Sequence, residues 1–144
     1  DIILAAKTKD LIFYENEISK FADNVYIVTD DESYGSKGYA VDETKRVLSK
    51  NKYDAVFAVG PLIMMKTICD ATRKDKIKTV ISMNSIMVDG TGMCGSCRVS
   101  VDGKIKYACI DGPEFDGHLV NFDEAIKRSK IYREHEHKCN LRDK

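Results

Sequence analysis

Residues 55–73 read AVFAVGPLIMMKTICDATR, and this stretch decides the fold class of the chain. The first five residues form a short, continuously apolar run, which is typical of a strand buried on both faces of a parallel sheet. Gly60-Pro61 ends that run, and proline is favoured at the start of a helix. Residues 62–73 then predict a helix, so the stretch predicts one β-α unit.

The same alternation appears on both sides of this unit. Strands are predicted at 2–6, 25–29 and 79–83, and helices at 11–22 and 39–50, the first of them with Leu11, Tyr14, Ile18 and Phe21 on one face. A glycine-containing loop follows the second strand. The β-α-β order predicts an α/β fold with a parallel, doubly wound sheet of the type that binds NAD(P).

After residue 84 the pattern changes. A glycine-rich loop precedes two strand-like runs, 98–101 and 104–110, which flank Asp102-Gly103, a strong signal for a two-residue hairpin turn. A last helix is predicted at 122–133, followed by a charged, solvated tail. We therefore expect three parts: an α/β domain at 1–84, a metal loop with a hairpin at 85–120, and a helix with its tail at 121–144.

The composition excludes several classes of protein. Lys+Arg and Asp+Glu are balanced at 23 each, so no overall positive field is available to hold nucleic acid or an anionic membrane. No apolar run approaches the ~20 residues that a membrane span needs. The chain begins with Asp1 and shows no signal-peptide pattern, which we interpret as a fragment or a processed chain in the cytoplasm.

The cysteines indicate a metal site. Cys94, Cys97 and Cys109 lie close together in the sequence and follow Asp89 with the spacing D-x4-C-x2-C-x11-C. Plant-type 2Fe-2S sites use C-x4-C-x2-C and a more distant cysteine. A carboxylate oxygen is anionic and can replace one thiolate, so Asp89 is the expected fourth ligand.

Two other interpretations of these cysteines stay open. Cys94-x2-Cys97 is also compatible with half of a zinc site or with a redox dithiol. A structural zinc or docking module without redox activity is therefore the alternative function, although Cys109 has no close cysteine partner. Cys69 lies in an apolar helical stretch, where we expect a buried structural thiol.

Two further places suggest a nucleotide. Ligands of open parallel sheets sit at the carboxyl ends of the strands. Gly60-Pro61 follows one predicted strand, and backbone there can approach a flat ligand closely. Asp30 and Asp31 follow another, where a carboxylate can accept a hydrogen bond from a ribose hydroxyl. Taken alone, both signals are weak, because Gly-Pro after a strand is usually only a turn.

Together these motifs resemble those of the ferredoxin–NADP reductase-like flavoproteins. The likeness includes the small flavin subunits of NADH-dependent reduced ferredoxin:NADP+ oxidoreductases, also called sulfide dehydrogenases, and the electron-transfer subunits of dihydroorotate dehydrogenases. It rests on 5–10, 29–38, 60–65 and above all on 87–98 with 109–118. The chain is similar to the C-terminal part of such proteins.

The resemblance implies an activity. NAD(P)H would give a hydride to FAD, and FAD would pass single electrons through a 2Fe-2S cluster to a larger flavin and iron–sulfur subunit or a ferredoxin-type carrier. Gly60 and Pro61 would lie beside the nicotinamide, and Lys7, Ser33 and Lys37 would touch the adenosine ribose or phosphate. Asp89 in the first ligand position favours the ferredoxin:NADP+ type.

The chain departs from the family pattern in two ways. Glu32 stands where the family has glycine, which leaves the choice between NADH and NADPH open. The flavin barrel and the glycine-rich first strand of the family lie outside this sequence. We therefore expect no NAD(P)H oxidation by the chain alone, and we expect the strands 2–6 and 55–59 to pair directly or to be completed by another chain, with a slight preference for a homodimer.

Overall fold

The computed structural model describes residues 1–142. They fall into two compact units, residues 1–53 and the residues from Asp54 onward. The three-part division expected from the sequence stays a prediction. Within the described residues, no helix is both long enough and apolar enough to cross a bilayer.

The first unit is built on a parallel sheet of three strands. The strands are β1, Ile2–Ala6; β2, Val25–Thr29; and β3, Ser36–Lys37. They lie in the order β1-β2-β3, and β1 and β2 pair from Ile2 beside Val25 to Ala6 beside Thr29. Helix α2, Ala40–Lys50, follows and buries Val47. β3 lies inside the segment that was predicted to be only a loop.

The helix predicted at 11–22 was wrong. A 3₁₀ turn covers Lys9–Leu11, and the only α-helical residues of this segment are those of α1, Glu15–Ile18. Tyr14, just before α1, has a φ of 61°, which a continuous right-handed helix does not allow. Leu11 and Phe21 are exposed, so the apolar periodicity of the sequence does not correspond to a buried face.

The second unit holds another sheet of three strands, in the order β4-β5-β8. β4, Ala55–Val59, and β5, Lys78–Ser82, are parallel and are joined by helix α3, Leu62–Arg73. α3 buries Met65, Ile68, Cys69 and Thr72. β8, Glu114–Asp116, was not predicted, and it adds antiparallel to β5 with Phe115 beside Ile81.

The predicted hairpin is confirmed over most of its length. β6, Arg98–Val101, pairs antiparallel with β7, Lys104–Tyr107. Asp102 and Gly103 have φ values of 51° and 69°, as a type I′ turn requires. The second strand was expected to reach Ile110, but it ends at Tyr107 and gives way to a helical turn, α4, Ala108–Asp111.

The C-terminal helix is shorter than predicted. α5 spans Phe122–Arg128, and its cap residue Asn121 accepts a hydrogen bond from the Glu124 N–H. A separate helix, α6, Arg133–Arg142, occupies the segment that was expected to be a solvated tail. The break between them follows from the turn at Ser129–Tyr132, where the hydrogen bonds shorten to three-residue spacing.

Each sheet has a terminal strand. Among the described residues, β1 pairs only with β2, and β4 pairs only with β5. Edge strands leave one row of backbone N–H and C=O groups without a strand partner. How the two edges are completed stays a prediction.

Candidate metal centre

Three of the predicted ligands lie on a loop that begins after β5, and the fourth, Cys109, lies on the helical turn α4 after the hairpin. The loop 89–97 has no regular secondary structure and turns through residues of positive φ. Gly92 shows why glycine is needed there. It has a φ of 83°, and a Cβ at this position would lie 2.6 Å from Cδ1 of Ile110. The loop is therefore packed closely against the α4 turn that carries Cys109.

Cys97 and Cys109, two of the predicted ligands, lie close together. Their Sγ atoms are 3.2 Å apart although the residues are 12 positions apart in the sequence. Cys97 is buried just before β6, and its carbonyl accepts a hydrogen bond from the Ala108 N–H at 3.1 Å. The hydrogen bond between the two thiols raises the pKa of Cys109, because it favours the protonated form.

Asp89 and Cys94, the other two predicted ligands, accept hydrogen bonds from backbone N–H groups of the loop. The Oδ1 atom of Asp89 accepts from the Thr91 N–H at 2.9 Å, and this bond holds the pKa of the Asp89 carboxyl below its usual range. Hydrogen bonds from Ser96, including one from its N–H at 3.5 Å, lower the pKa of the Cys94 thiol. The thiolate is the form that binds metal, so these bonds prepare Cys94 for ligation.

The four predicted ligands have donor atoms that an iron–sulfur cluster can take, and each iron of a 2Fe-2S cluster would take two of them. Among the side chains that the structure describes, no group of three or more His, Cys, Asp or Glu could hold one metal ion. Three thiols and one carboxylate supply the anionic donors that such a cluster needs.

Arg128 contacts the ligand loop, and the sequence did not predict this. Its Nη2 donates to the carbonyl oxygen of Ser96 at 3.1 Å, and Ser96 lies between Cys94 and Cys97. A basic residue near the end of a helix is usual, because it complements the helix dipole. Nothing in the spacing of the sequence relates position 128 to position 96, so only the folded arrangement reveals the contact.

The nucleotide residues predicted in the first unit lie after β1 and β2. Lys7 follows β1, and its carbonyl accepts from the Asp31 N–H. The Oδ1 atom of Asp31 accepts from the Ser33 hydroxyl at 2.6 Å and the Ser33 N–H at 3.0 Å, and these bonds lower the pKa of Asp31. Asp30 is exposed beside it. These residues lie just after the carboxyl ends of β1 and β2, and their role in binding a nucleotide stays a prediction.

Lys37 is engaged with the residue that departs from the family pattern. Its Nζ lies 3.3 Å from a carboxylate oxygen of Glu32. Glu32 adopts a φ of 65°, so a side chain occupies a conformation that glycine adopts more easily. The ion pair is exposed and compensates the negative charge that Glu32 adds to the loop.

Gly60 and Pro61 lie in the second unit, at the carboxyl end of β4. Pro61 is the N-cap of α3, as the sequence predicted. Gly60 has a φ of 153°, and a Cβ there would lie 2.8 Å from Cε of Met64. The backbone at this strand end therefore has a conformation that favours glycine, and the flexible side chain of Met64 lies beside it.

The comparisons with known proteins agree with this site. Residues 84–121 match the model of the iron–sulfur cluster binding domain of dihydroorotate dehydrogenase B. The chain is 48% identical over 134 residues to a dihydroorotate dehydrogenase B electron transfer subunit homolog from Thermotoga maritima, covering 93% of this chain and 47% of the relative. It is 34% identical over 114 residues to the electron transfer subunit from Clostridium perfringens, covering 79% of this chain and 45% of that protein.

A solved structure is also similar. It is that of an NADH-dependent reduced ferredoxin–NADP oxidoreductase, 44% identical, with a TM-score of 0.84 over 97% of this chain and 50% of the other. The chain thus spans about half the length of the relatives that it matches. The chain therefore has an iron–sulfur binding segment and an α/β fold in common with these electron-transfer proteins, which it resembles over about half of their length.

Proposed function

We propose that this chain holds a 2Fe-2S cluster on Asp89, Cys94, Cys97 and Cys109 and passes electrons between a flavin and a partner in an NAD(P)H-dependent oxidoreductase. One observation carries the proposal: the Sγ atoms of Cys97 and Cys109 lie 3.2 Å apart, and all four residues fall inside the segment that matches an iron–sulfur domain. When bound, such a cluster accepts and releases one electron at a time.

The residues of the chain have separate roles in this proposal. Cys97 and Cys109 hold one iron from a buried, rigid place at the base of the hairpin. Asp89 and Cys94 hold the other iron from the exposed part of the loop. The loop N–H groups of Thr91 and Ser96 already donate to the Asp89 and Cys94 side chains, which keeps the ligands oriented.

The surface beside the loop suits a protein partner. Val88 and Met93 are exposed next to Asp89 and Cys94, and Ile110 is exposed next to Cys109. Exposed apolar side chains that cluster at one place mark interaction sites. The partner proposed for this surface is a larger flavin and iron–sulfur subunit or a ferredoxin-type carrier, which would approach within electron-transfer distance of the ligands.

For the nucleotide we propose Gly60 and Pro61 at the nicotinamide and Lys7, Asp30, Asp31, Ser33 and Lys37 at the adenosine. A carboxylate after a strand accepts from the ribose 2′-hydroxyl of NADH, whereas NADPH needs a cation for its phosphate. Asp31 and Glu32 add negative charge, and Lys37 is paired with Glu32. NADH is therefore the better candidate.

FAD belongs to this proposal as the two-electron partner of the hydride. A cluster takes one electron and a hydride carries two, so NAD(P)H needs a flavin before electrons reach the ligands of this chain. We expect the flavin to be bound mainly by a domain outside this sequence. The chain with NAD(P)H and no added flavin should therefore leave an acceptor dye oxidised.

The test is anaerobic reconstitution of the chain with iron and sulfide. We expect two irons and two sulfides per chain, a brown protein with visible absorption, and an EPR signal on reduction. Cys97→Ala should lose all three, whereas Cys139→Ala, a change at an exposed thiol on α6, should keep them.

Two other results of the reconstitution would contradict the proposed cluster or its ligands. One zinc per chain and no colour would favour the structural or docking module without redox activity. Full iron content in Cys97→Ala would show that the ligand assignment is wrong.

A further inference from the structure

Residues of the loop 89–97 and of helix α5 both hold the contact between Arg128 and Ser96 in place. On the loop side, Ser96 contributes its carbonyl to Arg128 and its N–H to Sγ of Cys94. A trans peptide unit is planar, so fixing the Ser96 carbonyl also fixes the Cys97 N–H, which points the opposite way. One guanidinium therefore sets the orientation of the peptide unit that links Ser96 to the predicted ligand Cys97.

On the helix side, Arg128 is held by the packing of α5. Glu124 accepts from the Ser100 hydroxyl at 2.5 Å, and Lys66 of α3 pairs with Asp123 at 2.6 Å. Phe122 and Ala125 are buried. The helix is thus attached to both the hairpin and α3, and Arg128 itself is half-buried in its last turn.

Among the side chains that the structure describes, no carboxylate lies within ion-pair distance of the Arg128 guanidinium. The groove that Arg128 lines with Ser96 contains a second cation, Arg98, and no Asp or Glu among its described lining residues. The proposed ligands, in contrast, are all anionic when they bind metal.

We infer that Arg128 is a positioning residue of the cluster site, which clamps the Ser96 peptide and raises the reduction potential through its positive charge. The inference rests on the proposed cluster. Reduction adds one negative charge, and a nearby cation stabilises the more negative state. Loss of an outer partner of a metal ligand typically weakens metal binding about 10-fold or more.

Two variants separate the effect of the positive charge from the effect of the hydrogen bond to the Ser96 carbonyl. Arg128→Gln removes the charge, and Arg128→Lys keeps it but cannot place the planar guanidinium fork on the carbonyl. Lys127→Gln is the matched control, because it removes one charge from the neighbouring, exposed position of the same helix. All are compared with the wild-type chain after anaerobic reconstitution.

The readouts are the midpoint potential by EPR-monitored titration and the rate of cluster release to a chelator. We expect a more negative potential in Arg128→Gln, a potential near wild type in Arg128→Lys, and release about 10-fold faster in both. Lys127→Gln should match the wild type in release and shift the potential less than Arg128→Gln. A folded Arg128 variant, judged by circular dichroism, that takes up no cluster would also support the clamp.

The inference is overturned if Arg128→Gln and Lys127→Gln have the same potential and both release the cluster at the wild-type rate. If Arg128→Gln does not fold, Arg128→Lys alone decides, since wild-type release in that variant contradicts the clamp. A wild-type chain that binds no iron and sulfide would instead refute the proposed function, so the two failures are distinguishable.

Discussion

At the scale of single residues, Asp89 is the unusual member of the proposed ligand set. It is exposed and accepts from the Thr91 N–H, so its carboxylate is already oriented by the loop. A thiolate donates more charge to iron than a carboxylate does. Asp89→Cys should therefore retain a 2Fe-2S centre and lower its reduction potential.

The measurement for Asp89→Cys is a potentiometric titration beside the wild type, with iron and sulfide content as the control for cluster type. A potential equal to or above that of the wild type would contradict the assignment of Asp89 as a ligand. Asp89→Ala should lose cluster content, because it leaves one iron short of a protein ligand.

A close approach of Gly117 to the Cys69 side chain lies in the core of the second unit. Cys69 is buried, and burial raises the pKa of its thiol to about 11. A Cβ at Gly117 would lie 2.4 Å from Sγ of Cys69 and 2.9 Å from Cγ2 of Ile81. Gly117→Ala should destabilise the chain by about 1–3 kcal/mol, because a well-packed core must shift to admit a methyl group.

A double-mutant cycle checks this explanation by urea unfolding. In Cys69→Ala the sulfur is gone, so adding Gly117→Ala should cost less than it does in the wild type. Additive losses would mean that the Cys69 contact is not the cause, since independent sites add.

At the scale of elements, the loop 89–97 depends on where its glycines lie. Gly92 and Gly90 have similar φ values, 83° and 75°, but only Gly92 has a close neighbour, Ile110. Gly92→Ala should therefore lower cluster occupancy strongly. Gly90→Ala is the matched control, because it carries the same backbone strain with no atom within 4 Å of its new Cβ.

Occupancy is measured as iron and sulfide per chain after reconstitution. Shortening the neighbour with Ile110→Ala should restore part of the occupancy lost in Gly92→Ala. Equal losses in Gly92→Ala and Gly90→Ala would attribute the effect to backbone strain and not to the contact with α4.

Helix α2 of the first unit carries a pH-dependent contribution to stability. Glu43 is buried and accepts from Nε of Arg46 at 2.8 Å, and this hydrogen bond lowers the pKa of Glu43 from its ordinary value of 4.5. A carboxyl whose pKa is lower in the folded chain stabilises it above the unfolded value. That contribution is lost as the pH falls below about 4.5.

Glu43→Gln should therefore be less stable than the wild type at pH 7 and approach it at pH 3. Chemical unfolding at both pH values measures the difference, and Glu17→Gln, an exposed carboxyl of the same unit, is the control. A deficit of the same size at both pH values would mean that packing, and not the charge of Glu43, is responsible.

At the scale of the whole molecule, β4 is exposed in two ways. Among the described residues it pairs only with β5, so one edge has no strand partner. The side chains of Phe57 and Val59, on one face of the strand, are 73% and 75% exposed, although strands of a parallel sheet are normally covered on both faces. We expect the 144-residue chain to self-associate through β4, by a symmetric dimer that covers this edge and this face.

Sedimentation over a range of concentrations measures the association. Phe57→Lys should shift the chain toward monomer, whereas Phe13→Lys, a change at an equally exposed phenylalanine of the first unit, should not. A strictly monomeric chain at high concentration would contradict self-association.

The sequence by itself determined the elements whose signals are local. The runs 2–6, 25–29 and 55–59 became strands with those bounds, because apolar runs of five residues are too short for a typical helix and suit a strand. Asp102-Gly103 predicted its turn because the turn needs two residues of positive φ. The spacing from Asp89 to Cys109 predicted the iron–sulfur segment because ligand spacing is set by the geometry of the cluster.

Only the tertiary structure decided the features that depend on partners distant in the sequence. The apolar periodicity of 11–22 did not become a helix, because Leu11 and Phe21 pack against no core in the described residues. β8 is only three residues long and becomes a strand because it pairs with the edge of β5. Arg128 reaches Ser96 across 32 residues because α5 is packed against the hairpin, and no local pattern encodes that distance.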